Sequence, residues 1–151
     1  MKIASIDIGT NAIKSKIFET TPSSIIFIGG IRSPIRLGDE VFKNNLLSDT
    51  KLNQIVKTIK KYQKTFKNEG VELYEIVATS AFRNSNNSED ARRYLENKIN
   101  HPVRIISGLE EAKLISYHPK AQSNSRKIYV CLLYTSPSPR DRTRSRMPSS
   151  A

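Results

Sequence analysis

The stretch IASIDIGTNAIKSKIFE, residues 3–19, sets two apolar runs, 3–8 and 13–18, on either side of Gly9-Thr10-Asn11. Ile-rich runs joined by a short Gly-containing link are the pattern of a β-hairpin, so strands are expected over 2–8 and 12–19. Asp7 interrupts the first run just before the link. A carboxylate in a strand that wants burial is costly unless something compensates it. Two readings are open: Asp7 caps the turn with an Asx-type hydrogen bond, or it helps to hold a divalent cation that keeps waters and bridges to phosphate. Gly9 allows close backbone approach, turn N–H groups can hold a phosphate oxygen, and Thr10 and Asn11 add hydroxyl and amide donors.

Further along, residues 24–31 read as a third strand, and the polar SPIRLGDEVFKNNLLS, 33–48, as an irregular crossing. Residues 49–68 are an amphipathic helix. Leu52, Ile55, Val56, Ile59 and Phe66 share one face, while Lys57, Lys60, Lys61, Lys64 and Lys67 form a stripe on another. Ser48 is placed to cap its start, and Gly70 lies beyond its end. The stripe is either a solvated face or a track for a long anion. A strand over 74–78 leads into TSAFRNSNN, read as a loop. A helix over 88–99 is expected to be capped by Asn87 or Ser88, with Glu89 and Asp90 suiting its positive end. A strand over 103–106, a helix in SGLEEAKLISYH and a strand beginning at 127–130 complete the order. The alternation predicts an α/β fold, a mixed sheet with packed helices.

The formal charge is +11. Residues 131–151 carry +3 of it on Arg140, Arg142, Arg144 and Arg146 against Asp141, leaving +8 for the rest. The excess favours anionic partners, but the lysine-bearing helix lacks interleaved aromatics for base stacking, so no specific nucleic acid partner is expected. Cys131 is the single cysteine, which excludes a disulfide framework and a Cys-rich metal site. No apolar run reaches the length of a membrane span and no signal pattern opens the chain, so the expected setting is cytoplasmic, with no membrane partner. CLLYTSPSPRD, from Cys131, resembles a reading frame of a transposon-end adapter used to prepare sequencing libraries. Residues 131–151 are therefore expected to be a non-native, disordered tail.

Two further segments can carry chemistry. ATSAFR, 78–83, places Thr79, Ser80 and Arg83 after a strand end, either as an ordinary connection or as hydroxyl donors and a guanidinium that binds two phosphate oxygens at once. In SGLEEAKLI, 107–115, Ser107 and Glu110 match a capping box. At about 100° per residue Glu111 points between Leu114 and Ile115, the apolar centre of that helix. Such a carboxylate is either paired in a core or faces a cleft, and in a cleft its natural role is that of general base toward water.

IDIGTNAIK, PIRLGDEVF with LLS after it, VATSAFRNSNN and IISGLEEAKLI resemble, in that order, the exopolyphosphatase and guanosine pentaphosphate phosphatase (Ppx/GppA) family, over essentially all of residues 1–130. The resemblance implies a ribonuclease H-like lobe of the actin, Hsp70 and sugar kinase superfamily, the first of two lobes that close on a cleft. Residues 1–126 would be that lobe and 127–130 the start of the second. It implies that Asp7 helps to hold Mg²⁺, that Gly9, Thr10 and Asn11 form a phosphate loop, that Ser80 and Arg83 contact the phosphate chain, and that Glu111 is the catalytic base. The implied reaction is release of orthophosphate from polyphosphate or guanosine pentaphosphate. An ATP-binding kinase-type lobe of the same superfamily and a non-catalytic alarmone sensor are the rival readings. The full-length protein is expected to be a homodimer. After 127–130 the family shows a second Asp and a glycine-rich loop, where this chain reads CLLYTSPSP. The chain is therefore expected to be an inactive fragment.

Overall fold

The computed structural model describes residues 1–117. The chain divides into two units, Met1–Lys113 and Leu114–Ala151. Of the second, only the last turn of a helix and Tyr117 are described. The strand expected at 127–130 and the tail from Cys131 lie outside the described residues.

The quoted stretch forms the hairpin. Strands β1 (Lys2–Ile8) and β2 (Ala12–Thr20) pair antiparallel, with Ile8 opposite Ile13 and Asp7 opposite Lys14. Strand β3 (Ile25–Pro34) continues the meander antiparallel to β2, with a bulge between Ile17 and Phe18. It runs three residues past the end read from sequence. Strands β4 (Leu73–Ala78) and β5 (Arg104–Ile105) then add in parallel on the other side of β1, giving the order β3-β2-β1-β4-β5. The last strand is shorter than the four residues expected.

The period of two splits the sheet into distinct faces. Ala4, Ile6, Ile8, Ile13, Ile17, Ile76 and Ala78 are buried on one of them. Against it pack helix α2 (Asp49–Glu69), through Leu52, Ile55, Val56, Ile59, Tyr62 and Phe66, and helix α4 (Ser88–Ile99), through Ala91, Leu95 and Ile99. Each large side chain fully buried there contributes roughly 1.5–3 kcal/mol of transfer free energy. Tyr62 is completely buried. Its hydroxyl lies 3.1 Å from the Ile13 carbonyl, to which it donates, and 2.8 Å from Ser33 Oγ. This ties the helix to both β2 and β3. The ends of α2 are as read: Ser48 Oγ accepts from the Lys51 amide at 3.3 Å, and Gly70 takes the left-handed conformation at φ 71°.

Several local expectations are corrected. Within the segment read as irregular, Gly38–Asn44 is helical (α1). It is held by buried Val41 and ended by left-handed Asn45, and a single buried contact leaves no apolar period to read. The loop after β4 contains one helical turn, α3 (Ser80–Arg83). Asn87 stands at the start of α4 but does not cap it. Its side chain bridges instead to Leu47, accepting from that amide at 3.0 Å and donating to that carbonyl at 2.9 Å. The final helix, α5 (Gly108–Ser116), buries none of its residues.

Candidate functional site

The C-terminal ends of β1, β4 and β5 lie side by side, since Ile8 pairs with Ala78 and Ala78 with Ile105. Ligands of open α/β sheets collect at such ends. The turn after β1 is closed by the Gly9 amide donating to the Ala12 carbonyl at 3.1 Å. Gly9 thus supplies close approach rather than a free donor, and of the turn's amides those of Thr10 and Asn11 have no acceptor among the described residues. The loop before α1 fixes the outside of the turn. Ile35 and Arg36 amides both donate to the Asn11 carbonyl, at 3.2 and 3.1 Å, and Gly38 donates to the Thr10 carbonyl at 3.1 Å. A Cβ at Gly38 would come within 2.5 Å of Thr10 Cγ2, so only glycine lets this loop lie against the turn.

Asp7 points away from the helices, onto the open face of the sheet, beside Lys14 on β2 and Val77 on β4. Its Oδ1 is buried and has no hydrogen-bond partner, so the turn-capping reading fails. Burial pushes the Asp7 carboxyl above the ordinary carboxylate range, Lys14 pulls it back, and Glu111 adds to the rise.

The α3 turn stands over the end of β4. Thr79 donates its amide to the Ile8 carbonyl at 3.3 Å. Thr79 and Ser80 are buried rather than displayed, and Ser80 Oγ accepts from Asn84 Nδ2 at 3.2 Å. Arg83 reaches back across the site. Its Nη1 donates to the Ile106 carbonyl at 2.8 Å, and its two Nη atoms lie 3.4 and 3.5 Å from Glu111 Oε2. That pair is looser than a tight charge-assisted bond of about 2.7–2.9 Å, which leaves guanidinium donors for another anion.

Glu111 sits in the first turn of α5, its amide donating to the Ser107 carbonyl at 2.9 Å. Ser107 Oγ accepts from the Glu110 amide at 3.1 Å, one half of the expected capping box. Glu110 does not complete the other half. It accepts instead from Arg104 Nη1 at 2.7 Å, a charge-assisted bond stronger than one to a neutral amide. Leu114 and Ile115, read as the centre of a buried face, are exposed; what half-covers Glu111 is Arg83.

The structure thus brings Asp7, the Gly9–Asn11 turn, Arg83 and Glu111 to one end of the sheet, with Ser80 buried beneath. Lys14 was not singled out from sequence. The signal was present in the hairpin register: once Ile8 opposes Ile13, Asp7 must oppose Lys14. Among the described residues no three acidic, His or Cys side chains cluster as a metal cage. A Mg²⁺ ion typically uses one or two carboxylates and takes its other ligands from water and phosphate, so the unpartnered Asp7 oxygen fits such an ion. No helix of the described residues is long and apolar enough to cross a membrane.

Together, the three-stranded meander, the parallel strands beyond β1 and the glycine turn at its end define a ribonuclease H-like α/β lobe of the actin, Hsp70 and sugar kinase superfamily. The profile of the Ppx/GppA phosphatase family matches residues 4–130, and the chain belongs to that family. Solved structures agree. It is similar to the Aquifex aeolicus Ppx/GppA family member (24% identity, TM-score 0.72, over 80% of this chain and 40% of that one). It is also similar to an exopolyphosphatase-like protein (29%, 0.68, 75% and 34%). With an exopolyphosphatase from Cytophaga hutchinsonii it shares the fold (23%, 0.70, 76% and 36%). The chain matches about 40% or less of the length of these proteins.

Proposed function

We propose that the protein to which this lobe belongs hydrolyses phosphoanhydride bonds, releasing orthophosphate from polyphosphate or guanosine pentaphosphate. The observation that carries this reading is the placement of an unpartnered Asp7 oxygen, the glycine turn and the Arg83–Glu111 pair at the C-terminal ends of β1, β4 and β5. The free Thr10 and Asn11 amides and the Arg83 guanidinium bind the terminal phosphate. Ser80, from below, supports the α3 turn and has a hydroxyl proton to donate. Asp7 would hold Mg²⁺, which when bound screens phosphate charge. Glu111 accepts a proton from the water that attacks the terminal phosphorus; the bridging P–O bond breaks, and its oxygen leaves with the remaining chain. Arg83, shared between Ile106 and Glu111, aims the base.

On this reading residues 1–126 are the first lobe, 127–130 open the second, and the opposite wall of the site lies in the remainder of a longer, cytoplasmic, homodimeric protein. Residues 131–151 stand where the second phosphate loop belongs, as a non-native tail. The 151-residue chain alone should therefore release no orthophosphate from polyphosphate. The test is Glu111→Gln in the longer protein: orthophosphate release should fall by roughly 10²–10⁴-fold while substrate binding persists. Unchanged hydrolysis refutes the assignment, and ATP-dependent phosphate transfer to a sugar refutes the reaction.

A further inference from the structure

The open face of the sheet carries a transverse row of residues, one from each strand. From β5 to β3 they are Arg104, Val77, Asp7, Lys14 and Arg32. Side chains directly opposite one another in such a ladder project to the same face. The cations on the two sides of Asp7 differ in their partners. Arg104 is neutralised twice, by Glu75 at 2.9 Å and Glu110 at 2.7 Å. On the other side, Lys14 faces Arg32 directly across the strand pair, a like-charge juxtaposition that destabilises a sheet. Lys16, two residues along the same face, is opposite Gly30. Among the described residues neither Lys16 nor Arg32 has an acidic partner, and both are exposed. Gly30 leaves bare backbone between them.

We infer that Arg32 and Lys16 hold phosphates behind the one that is cleaved. A condensed phosphate whose end lies in the Gly9–Asn11 turn would run past Lys14 and across β2 toward β3, over the bare floor at Gly30. This rests on the proposed phosphoanhydride reading and deepens it: the sheet face selects ligands with several linked phosphates over orthophosphate. Lys14 already faces Asp7 across the hairpin, so it is to Arg32 and Lys16 that the ligand supplies the counter-charge the fold withholds. Neither Arg32 nor Lys16 touches the reacting atoms, so both are specificity residues.

The experiment is calorimetric titration of the 151-residue chain at low salt with Mg²⁺ and, separately, orthophosphate, tripolyphosphate, long-chain polyphosphate and guanosine pentaphosphate. Arg32→Gln and Lys16→Gln should each weaken tripolyphosphate binding about tenfold, the scale of one charged hydrogen bond. They should leave orthophosphate binding unchanged. Arg32→Lys should retain most of the affinity. Circular dichroism melts of the free variants should show Arg32→Gln no less stable than the parent, because a repulsion is removed. The pair of ligands separates the sources: a loss for polyphosphate without one for guanosine pentaphosphate assigns the row to the former, and the converse to the latter. If both Gln variants bind tripolyphosphate like the parent while Arg83→Gln binds it weakly, the inference is overturned and the proposed function stands. If the parent binds no condensed phosphate at all, the inference falls, while the proposed function is decided by Glu111→Gln in the longer protein.

Discussion

Replacing Asp7 by Asn removes a charge and keeps the shape, and it should make the free lobe more stable. Oδ1 of Asp7 is buried and accepts no hydrogen bond, and burial is the main cause of its raised pKa. Asparagine keeps an oxygen at Oδ1, so what the substitution lifts is the extra cost of burying a charge without a partner, on the scale of about 1–3 kcal/mol. Because the carboxyl is only partly shielded from solvent, the lower end applies, about 1 kcal/mol. For a lobe of this size that corresponds to a rise of about 3–6 °C in Tm. The pH dependence fixes the cause. A carboxyl whose folded pKa lies above its unfolded value penalises folding as pH rises through the folded pKa. Below about pH 4 both states are protonated and the penalty is absent. The stability difference between Asp7→Asn and the parent should therefore be near zero at the acid end and grow toward neutrality. Urea or thermal unfolding of both proteins across that range, without ligand, measures it. An Asp7→Asn protein that is less stable than the parent at pH 7, or a difference indifferent to pH, would refute the reasoning. Either result would show that the carboxylate has a structural partner. In the presence of Mg²⁺ and tripolyphosphate the order should reverse, the parent gaining stability that the variant does not.

Other outcomes follow from the same geometry. Gly38→Ala should cost about 1–3 kcal/mol by overpacking against Thr10 and should weaken phosphate binding by shifting the turn, checked by denaturant melts and titration. Tyr62→Phe removes the hydroxyl shared by the Ile13 carbonyl and Ser33, and should destabilise by about 1–2 kcal/mol with phosphate affinity intact. Ser48→Ala removes the cap of α2 and the 2.7 Å bond to Glu40, and should lower stability by about 1 kcal/mol, visible as an earlier helix melt by circular dichroism.

The elements with a strong period were legible in the sequence. The hairpin, α2 and α4 each repeat their apolar signal over several residues, so local pattern and tertiary burial agree. What escaped was set by single long-range contacts. Helix α1 exists because Val41 is buried and the Leu37–Gly38 bend fits against Thr10, neither of which leaves a period. Asn87 looked like a cap by position, yet Leu47, brought up by the fold, offers it two backbone bonds. At the site, the sequence pointed to Asp7, the glycine turn, Arg83 and Glu111, which the fold sets at one end of the sheet, but the face argument for Glu111 rested on a buried helix side that the described structure does not contain. Lys14 and Arg32 were missed because adjacent strands, not adjacent residues, bring them together.

The position of β1 also bears on how the lobe is made. Its partner on one side is the hairpin strand that follows at once, while its partner on the other is β4, which arrives only after β2, β3, α1 and the whole of α2. During synthesis the meander can close early, leaving one margin of the Ile-rich first strand open to any passing chain. The long helix, capped at both ends and seated on the sheet before β4 emerges, brings the later strand home and shortens that exposure. Weakening α2 should thus harm the yield of soluble protein in cells more than its effect on equilibrium stability alone would suggest.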